Sequence, residues 1–494
     1  MRMLADLITN LTAQSIPEIE ITGLCMDSRC CLQRHCFLAI QGEQAHGLDY
    51  LTSINPAVVL TEVSRSWNEQ SIQALKTEVP YPIIIIKNLS ALISQIASAF
   101  YQHPSQKMQI IGITGTNGKS SISSYIAQAL GQGSAMFGTL GVGRYGHLME
   151  TGMTTPDPLT SQSLLASLVK QNIKQVAFEV SSHALVQNRV AAVNFEIAIF
   201  TNLTRDHLDY HGDMETYAKA KKGLFNYPNL KWAVVNVDDE VGLDILNQLH
   251  PNIKAISYSL SDKNKAPSFI FAKEIKRHER QQAIYFESSW GHGCVNSHLI
   301  SDFNASNLLA TLAILLINQI PLPEAINKLE KLVTVAGRMQ YFGGEHQKPL
   351  VVVDYAHTPE ALKQVLLSLR NYCKGRLYCI FGCGGERDTG KRPLMGEVAF
   401  AIADEVYLTD DNPRTENSKQ IIEGILKGMP NKCHVTIEPN RAVAIRQAID
   451  EATPNDLVLI AGKGHENIQL IGNLEIPFSD VEQVKQALAG ENND

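Results

Sequence analysis

No stretch of this 494-residue sequence reaches the roughly 18 uninterrupted apolar residues that a membrane helix needs. The longest candidate, Leu308 to Ile320, is broken by Thr311 and Asn318 and reads as a buried helix. The opening MRMLADLITNLTAQS lacks a long apolar core followed by a small-residue cleavage site, so no secretory signal is expected. A basic block is missing too: the formal charge is -7 and spread along the chain, which argues against a nucleic-acid-binding surface. The short cluster Lys219, Lys221 and Lys222 reads, on spacing alone, as a solvated helix face. Paired CxxC spacing is absent among the nine cysteines, and Cys30, Cys31 and Cys36 have no histidine in zinc-site register. Reduced thiols in a cytoplasmic protein are therefore expected. There is no short-period repeat and no low-complexity linker.

What the chain does have is length and alternation. At about 150 residues per domain it should form three domains, and its 44% hydrophobic content supplies ordinary cores. The first part mixes short strands and helices and ends in YPIIIIKNLS, followed by the amphipathic ALISQIASAFYQHPSQ, which reads as a connection into a new domain. A buried strand, a glycine-rich turn and a helix then follow directly in MQIIGITGTNGKSSISSYIAQAL. From there apolar strands (QVAFEVSS, EIAIFTNL, WAVVNV) alternate with helical segments, as in an α/β domain with a largely parallel sheet. A further series starts near Tyr341, with PLVVVDYAH, RLYCIFGCGG, EVYLTDDN and DLVLIAGKG as its strands. The predicted fold class is thus α/β in three domains. A small N-terminal α/β domain spans 1–88, a central P-loop domain with a mostly parallel sheet 89–336, and a C-terminal Rossmann-like domain 337–494.

The strongest local signal is the loop Gly115, Thr116, Asn117, Gly118, Lys119, Ser120, Ser121. Its glycines let backbone N–H groups face phosphate oxygens at a helix N-terminus, Lys119 suits the β and γ phosphates, and the Ser120 hydroxyl suits Mg²⁺. A strict Walker A pattern needs glycine where Ile113 stands, so this is a variant. The loop alone fits kinases, motor ATPases, GTPases and ligases equally. Glu179 follows a hydrophobic strand, where a nucleotide-bound Mg²⁺ needs a carboxylate, although a helix cap or surface acid is the plain alternative. His207 could ligate a second ion, but on spacing alone it reads more readily as a core or capping histidine.

Several further motifs occur in fixed order: EVSSHAL, NLTRDHLDYHG, YAKAK, FNASN, GRM, DYAHTPEAL and AGKGHE. Together with the phosphate loop they resemble the Mur ligases across essentially the whole chain. Those enzymes add amino acids one at a time to the UDP-muramoyl peptide of peptidoglycan. MDSR and TTPDP resemble the members that add the third residue.

The resemblance implies an acyl-phosphate mechanism. ATP phosphorylates a substrate carboxylate, the incoming amine attacks, and phosphate leaves, so that catalysis is positioning and charge neutralisation. Lys119 and Ser120 match the family's phosphate and Mg²⁺ groups, and Glu179 and His207 its metal ligands. Lys221 matches a lysine that carries a carbamate (N6-carboxylation) and then ligates Mg²⁺; only the motif distinguishes it from Lys219 and Lys222. Asn304, Asn307, Arg338 and Asp354 resemble adenine, phosphate and ribose contacts, with His357 on the same loop as Asp354. Met26, Ser28 and the loop Glu43, Gln44, Ala45, His46 would hold the nucleotide sugar. Thr154, Thr155, Ser181, Gln187 and Arg189 would hold the muramoyl peptide.

The sequence Asp411, Asn412, Pro413, Arg414 reads locally as a turn. In the family, DNPR marks members that use meso-2,6-diaminopimelate rather than L-lysine. The Arg414 guanidinium can grip the extra carboxylate in two parallel hydrogen bonds and would repel a terminal ammonium. Arg387, Gly462 and Glu466 resemble the remaining contacts, Glu466 suiting the distal ammonium. GCGGER is no dinucleotide fingerprint, because its third glycine would fall at Arg387. The expected ligands are therefore UDP-MurNAc-dipeptide, meso-diaminopimelate, ATP and Mg²⁺, with no nucleic acid or membrane, on a monomer. An L-lysine adder, a folylpolyglutamate synthase-like protein and a non-catalytic nucleotide-binding scaffold are the competing readings.

Overall fold

The computed structural model describes residues 1–42, 44–261, 266–278, 280–345, 347–430 and 433–490. The first sheet contains Gly23–Cys25, His35–Ala39, Val58–Thr61 and Ile83–Ile85, all parallel and in that spatial order. Its strands are apolar on both faces because both faces are covered. His35–Ala39 sends Cys36 and Leu38 into one cluster, and Phe37 and Ala39 into the other. The helix Leu89–Phe100 lays Leu89, Ile93 and Ile96 on the first of these clusters, so the amphipathic segment shares its core with the first sheet. Leu159, from helix Pro158–Lys170, reaches the same cluster and ties this sheet to the next.

Among the described residues the central sheet has eleven strands. Ser134–Gly138, Gln175–Glu179, Gln109–Thr114, Phe195–Phe200, Trp232–Asn236, Lys254–Ser259 and Ser268–His278 lie side by side and parallel, and antiparallel hairpins close both edges. Residue alternation along Gln109–Thr114 sends Ile110 to one face and Ile111 and Ile113 to the other, each into its own core. The chain order reverses around this strand: the two parallel strands that follow it in sequence are placed on one side, and Phe195–Phe200 begins the run on the other. Ligands of open α/β sheets bind at the carboxyl ends of strands at such a point. The apolar stretch after Leu308 belongs to helix Asp302–Ile317, which is buried on every side. No described helix is long and apolar enough to cross a membrane.

The last sheet orders Gln340–Gly343, Leu350–Asp354, Leu457–Ala461, Leu377–Phe381, Glu405–Leu408 and Val435–Ile437, parallel except for the first. Helices cover both faces, confirming the α/β class expected from strand–helix alternation. Here Arg441, opening helix Arg441–Glu451, meets Asp480, opening helix Asp480–Ala489, in two hydrogen bonds of 2.7 and 2.8 Å with neither side chain exposed. Arg441 also donates to the Ala461 carbonyl, pinning two helices to the carboxyl end of a central strand. Asp480→Ala leaves a buried guanidinium without its anion and should cost about 3–5 kcal/mol. A denaturant titration that shows no shift in midpoint would refute that role.

Candidate active site

Strand Gln109–Thr114 delivers the phosphate loop, and helix Lys119–Leu130 leaves it. Gly115 has φ +146°, and a Cβ there would lie 1.8 Å from Thr201 Oγ1, so only glycine fits. The loop is clamped to the neighbouring strand end: Thr116 N donates to Asn202 O (2.8 Å), Asn117 N to Asn202 Oδ1 (3.0 Å), and Thr201 Oγ1 to Asn117 O (2.6 Å). Lys119 Nζ folds back onto the carbonyls of Gly115 (2.8 Å) and Thr116 (2.9 Å). Lys221 Nζ reaches the same Gly115 carbonyl at 2.8 Å. Burial lowers the pKa of both amines; Lys221, repelled in addition by Lys119, falls well below the ordinary lysine range. The three neighbouring lysines thus separate cleanly. Lys221 is buried at the loop, Lys222 pairs with Asp244, and Lys219 faces solvent.

Glu179 ends strand Gln175–Glu179 with no exposed surface. Its carboxylate accepts from Ser120 Oγ (2.8 Å), Thr139 N (3.1 Å), Thr139 Oγ1 (3.1 Å) and, at 3.5 Å, Ser123 Oγ. Burial pushes its pKa up, opposed chiefly by Lys119. A Cβ at residue 138 would stand 2.0 Å from Glu179 Oε1, so Gly138 is what admits this carboxylate. Gly138→Ala should displace Glu179 and lower turnover by roughly 100-fold, the scale for losing one preorganised group. Unchanged kcat would remove Glu179 from the machinery. Thr139 and Ser123 were not marked by any motif. Thr139 Oγ1 continues to Thr154 Oγ1 (2.9 Å), Thr155 Oγ1 donates to the Glu179 carbonyl (2.9 Å), and Ser181 N donates to Thr155 Oγ1 (3.2 Å). Arg189 joins this arc by donating to Thr155 O (2.9 Å) and Gln187 Oε1 (2.6 Å).

His207 precedes the short helix Leu208–His211 with φ +52° and makes no side-chain cap. Its side chain is 48% exposed, so it is neither core nor cap. Its ring meets His183 (centroids 4.9 Å apart) and Tyr217 (6.2 Å), and burial lowers its pKa, favouring the neutral ligating form. Lys221 lies 4.5 Å over the Tyr217 ring, whose hydroxyl sits 3.3 Å from Thr116 Oγ1. Loop, histidine and lysine therefore share one wall. The structure also supplies Tyr217 and His183, which the sequence reading did not single out.

Asn304 Nδ2 donates to Ile300 O (2.9 Å) and its Oδ1 accepts from Tyr125 OH (3.0 Å), which anchors it within the protein. Asn307 backs the loop, with Oδ1 2.8 Å from where a Cβ on Gly118 would be. The Arg338 guanidinium stacks 4.4 Å over Tyr355, and its charge bears on both Lys119 and Glu179. Asp354, whose pKa burial raises, accepts from Met339 N and Ala356 N, both at 2.8 Å. His357 Nδ1 lies 3.0 Å from Tyr355 O.

A separate group gathers at the carboxyl ends of the last sheet. Asn412 Nδ2 donates to Glu466 Oε2 at 3.0 Å, and Asp411 lies against Gly462. Arg414, after Pro413, donates from Nη1 to Gly385 O (2.9 Å), while Arg387 stands exposed across Gly384. The first-domain residues Met26, Gln44, Ala45 and His46 sit on loops of the first sheet, and Ser28 opens the 3-10 turn Ser28–Cys30; Glu43 lies outside the described residues. His46 Nδ1 accepts from Leu48 N (3.1 Å). Among the described residues no hydrogen bond joins this group to the phosphate loop.

Residues 113–315 match the Mur ligase middle domain, and residues 337–464 match the Mur ligase, glutamate ligase domain. The chain is 45% identical over 478 residues to the UDP-N-acetylmuramoyl-L-alanyl-D-glutamate--2,6-diaminopimelate ligase of Coxiella burnetii, covering 95% of this chain and 96% of that protein. A solved structure of a ligase of that name covers 100% of both chains at 32% identity with a TM-score of 0.70. A MurF ligase from Thermotoga maritima in complex with ADP is similar in fold alone, with 16% identity, TM-score 0.61, and coverage of 95% of this chain and 97% of that one.

Proposed function

This chain belongs to the Mur ligase family, and from that premise we propose that it joins meso-2,6-diaminopimelate to UDP-N-acetylmuramoyl-L-alanyl-D-glutamate in peptidoglycan synthesis, consuming ATP. One observation carries the reading: a buried carboxylate, a serine hydroxyl and two converging lysines meet at one phosphate loop. The loop N–H groups and Lys119 hold the ATP phosphates, Lys119 exchanging its two carbonyl partners for phosphate oxygens. The terminal D-glutamyl carboxylate attacks the γ-phosphorus and ADP departs, leaving an acyl phosphate. The diaminopimelate amine then adds to the acyl carbon, and phosphate leaves with formation of the amide bond. Thr154, Thr155, Ser181, Gln187 and Arg189 form the polar arc that orients the peptide beside Glu179. Arg338 would meet the γ-phosphate from the third domain, and Asn304, Asn307, Asp354 and His357 would take the nucleotide side.

Glu179 fits a Mg²⁺ site, because among the described residues the hydrogen-bond donors to this fully buried carboxylate are all neutral, hydroxyls and one amide N–H, and cationic charge reaches it only from Lys119 and Arg338 without a hydrogen bond. Ser120 and Glu179 would hold one ion, with His207 and N6-carboxylated Lys221 candidate ligands of a second; bound there, Mg²⁺ would supply charge neutralisation for the phosphates. Diaminopimelate would lie between Arg387, Arg414 and the pair Asn412 and Glu466, with Asp411, Pro413 and Gly462 shaping the wall. Met26, Ser28 and residues 43–46 would take the uridine end. We also infer three domains, 1–88, 89–336 and 337–494, with helix Leu89–Phe100 at the start of the second packing on the core of the first, and a cytoplasmic monomer. The test is phosphate release with ATP, Mg²⁺ and the UDP-muramoyl dipeptide, comparing meso-diaminopimelate with L-lysine. Release only with diaminopimelate is expected; preference for lysine overturns the specificity, and silence with both overturns the ligase.

A further inference from the structure

Lys463 stands just after strand Leu457–Ala461 and has no exposed surface. A buried ammonium persists only where it is paired. Its Nζ donates to Glu466 Oε2 at 2.9 Å and to Asn412 Oδ1 at 2.9 Å, with Asp411 Oδ1 at 3.9 Å. Asn412 Oδ1 accepts in addition from Leu470 N (3.0 Å), and Asn412 Nδ2 donates to the same Glu466 Oε2 (3.0 Å). The carboxamide orientation follows from its partners: its oxygen faces two donors and its amino group faces a carboxylate. Two donors thus converge on one oxygen of Glu466, and among the described residues no hydrogen bond is made by the other, Oε1.

We propose that Lys463 is a positioning residue for amino-acid specificity: it clamps Oε2 of Glu466 so that Oε1 is held toward the distal ammonium of the incoming diamino acid. This rests on the ligase reading above and adds the residue that sets Glu466 in place. The chemistry requires such a clamp. A glutamate has three side-chain torsions, and one unrestrained beside Asp411 would turn away from that like charge. Lys463 fixes the carboxylate plane from behind without touching the substrate, as partners of metal-ligating histidines fix theirs.

The experiment uses the full chain with ATP, Mg²⁺ and the UDP-muramoyl dipeptide, and compares meso-diaminopimelate with 2-aminopimelate, which lacks only the distal amine. In the unaltered enzyme, 2-aminopimelate should show a KM raised roughly 10- to 100-fold, the scale of a lost charge-assisted contact. Lys463→Met should raise KM for diaminopimelate by roughly the same factor and leave KM for ATP unchanged, so that the two amino acids become nearly equivalent. Lys463→Gln, which keeps a donor but no charge, should fall between and serves if the methionine variant does not fold. A purely structural lysine would lower the melting temperature while preserving the preference for diaminopimelate, and that result overturns the proposal. Equal KM values for both amino acids in the unaltered enzyme overturn it without any variant. Failure of the unaltered enzyme to use diaminopimelate at all would instead overturn the ligase reading.

Discussion

Lys221→Ala is expected to lower phosphate release with all substrates present by about 10³-fold or more, while Lys219→Ala and Lys222→Ala stay close to the starting activity. Lys222 pairs with Asp244 near the surface, and such an exposed pair contributes only about 0–1 kcal/mol. Lys221 is different in kind. Two ammonium groups aimed at one Gly115 carbonyl would repel each other, and the Lys221 side of that pair is buried. Burial already favours the neutral amine of Lys221, the form that adds carbon dioxide with release of a proton. A carbamate formed there would be an anion, and its interaction with Lys119 would be attraction rather than repulsion. Activity of the unaltered enzyme should therefore rise with bicarbonate, and a small carboxylate such as acetate or formate should partly restore Lys221→Ala. An alanine variant that acetate cannot rescue, in an enzyme indifferent to bicarbonate, would rule the carbamate out.

Arg414→Lys should reduce kcat/KM for meso-diaminopimelate by roughly 100-fold or more, on the scale of truncating one partner of a desolvated charge pair. The main chain at Arg414 is secured independently of its side chain. Its N–H donates to Leu470 O, and its carbonyl accepts from Gly472 N (2.7 Å), which docks it against the hairpin Ile468–Ile471 and Leu474–Pro477. The substitution therefore probes the guanidinium fork rather than the fold. Gly385 O occupies one end of that fork through Nη1, and Arg387 offers a second guanidinium across Gly384. Lysine at 414 keeps the charge but loses the planar pair of donors, so L-lysine should gain little while diaminopimelate loses much. Competition between the two amino acids measures this directly; an unchanged ratio would detach Arg414 from the choice of substrate.

The phosphate loop was legible because its strand, glycine turn and helix are contiguous, and each step is a local preference of the residues concerned. The placement of Glu179 at a strand end was legible for the same reason. Thr139 and Ser123 were not, since they reach Glu179 from a neighbouring strand end and from a helix, and sheet order brings them together. The choice among three adjacent lysines likewise depended on which face of helix Met214–Lys222 turns toward Gly115. The amphipathic stripe of Leu89–Phe100 says that the helix packs without saying on which sheet. Lys463 was hidden by its type, because a lysine between glycines reads as solvated until Asn412 and Glu466 are seen around it.

Helix Asp302–Ile317 has a consequence for how the protein is made. Its apolar residues close over Ile111, Ile113, Ile197, Ile199, Val234 and Ile256, all of which precede it in the chain. During synthesis the growing chain therefore carries a half-open hydrophobic trough until this helix, and then Ala325, Leu329, Leu332 and Val335, have left the ribosome, an interval in which it is prone to self-association and to capture by chaperones. The same helix brings Asn307 against Gly118. One helix thus supplies both a large part of this core and a residue behind the phosphate loop, so a nascent chain stalled before it holds the loop sequence without Asn307 behind it.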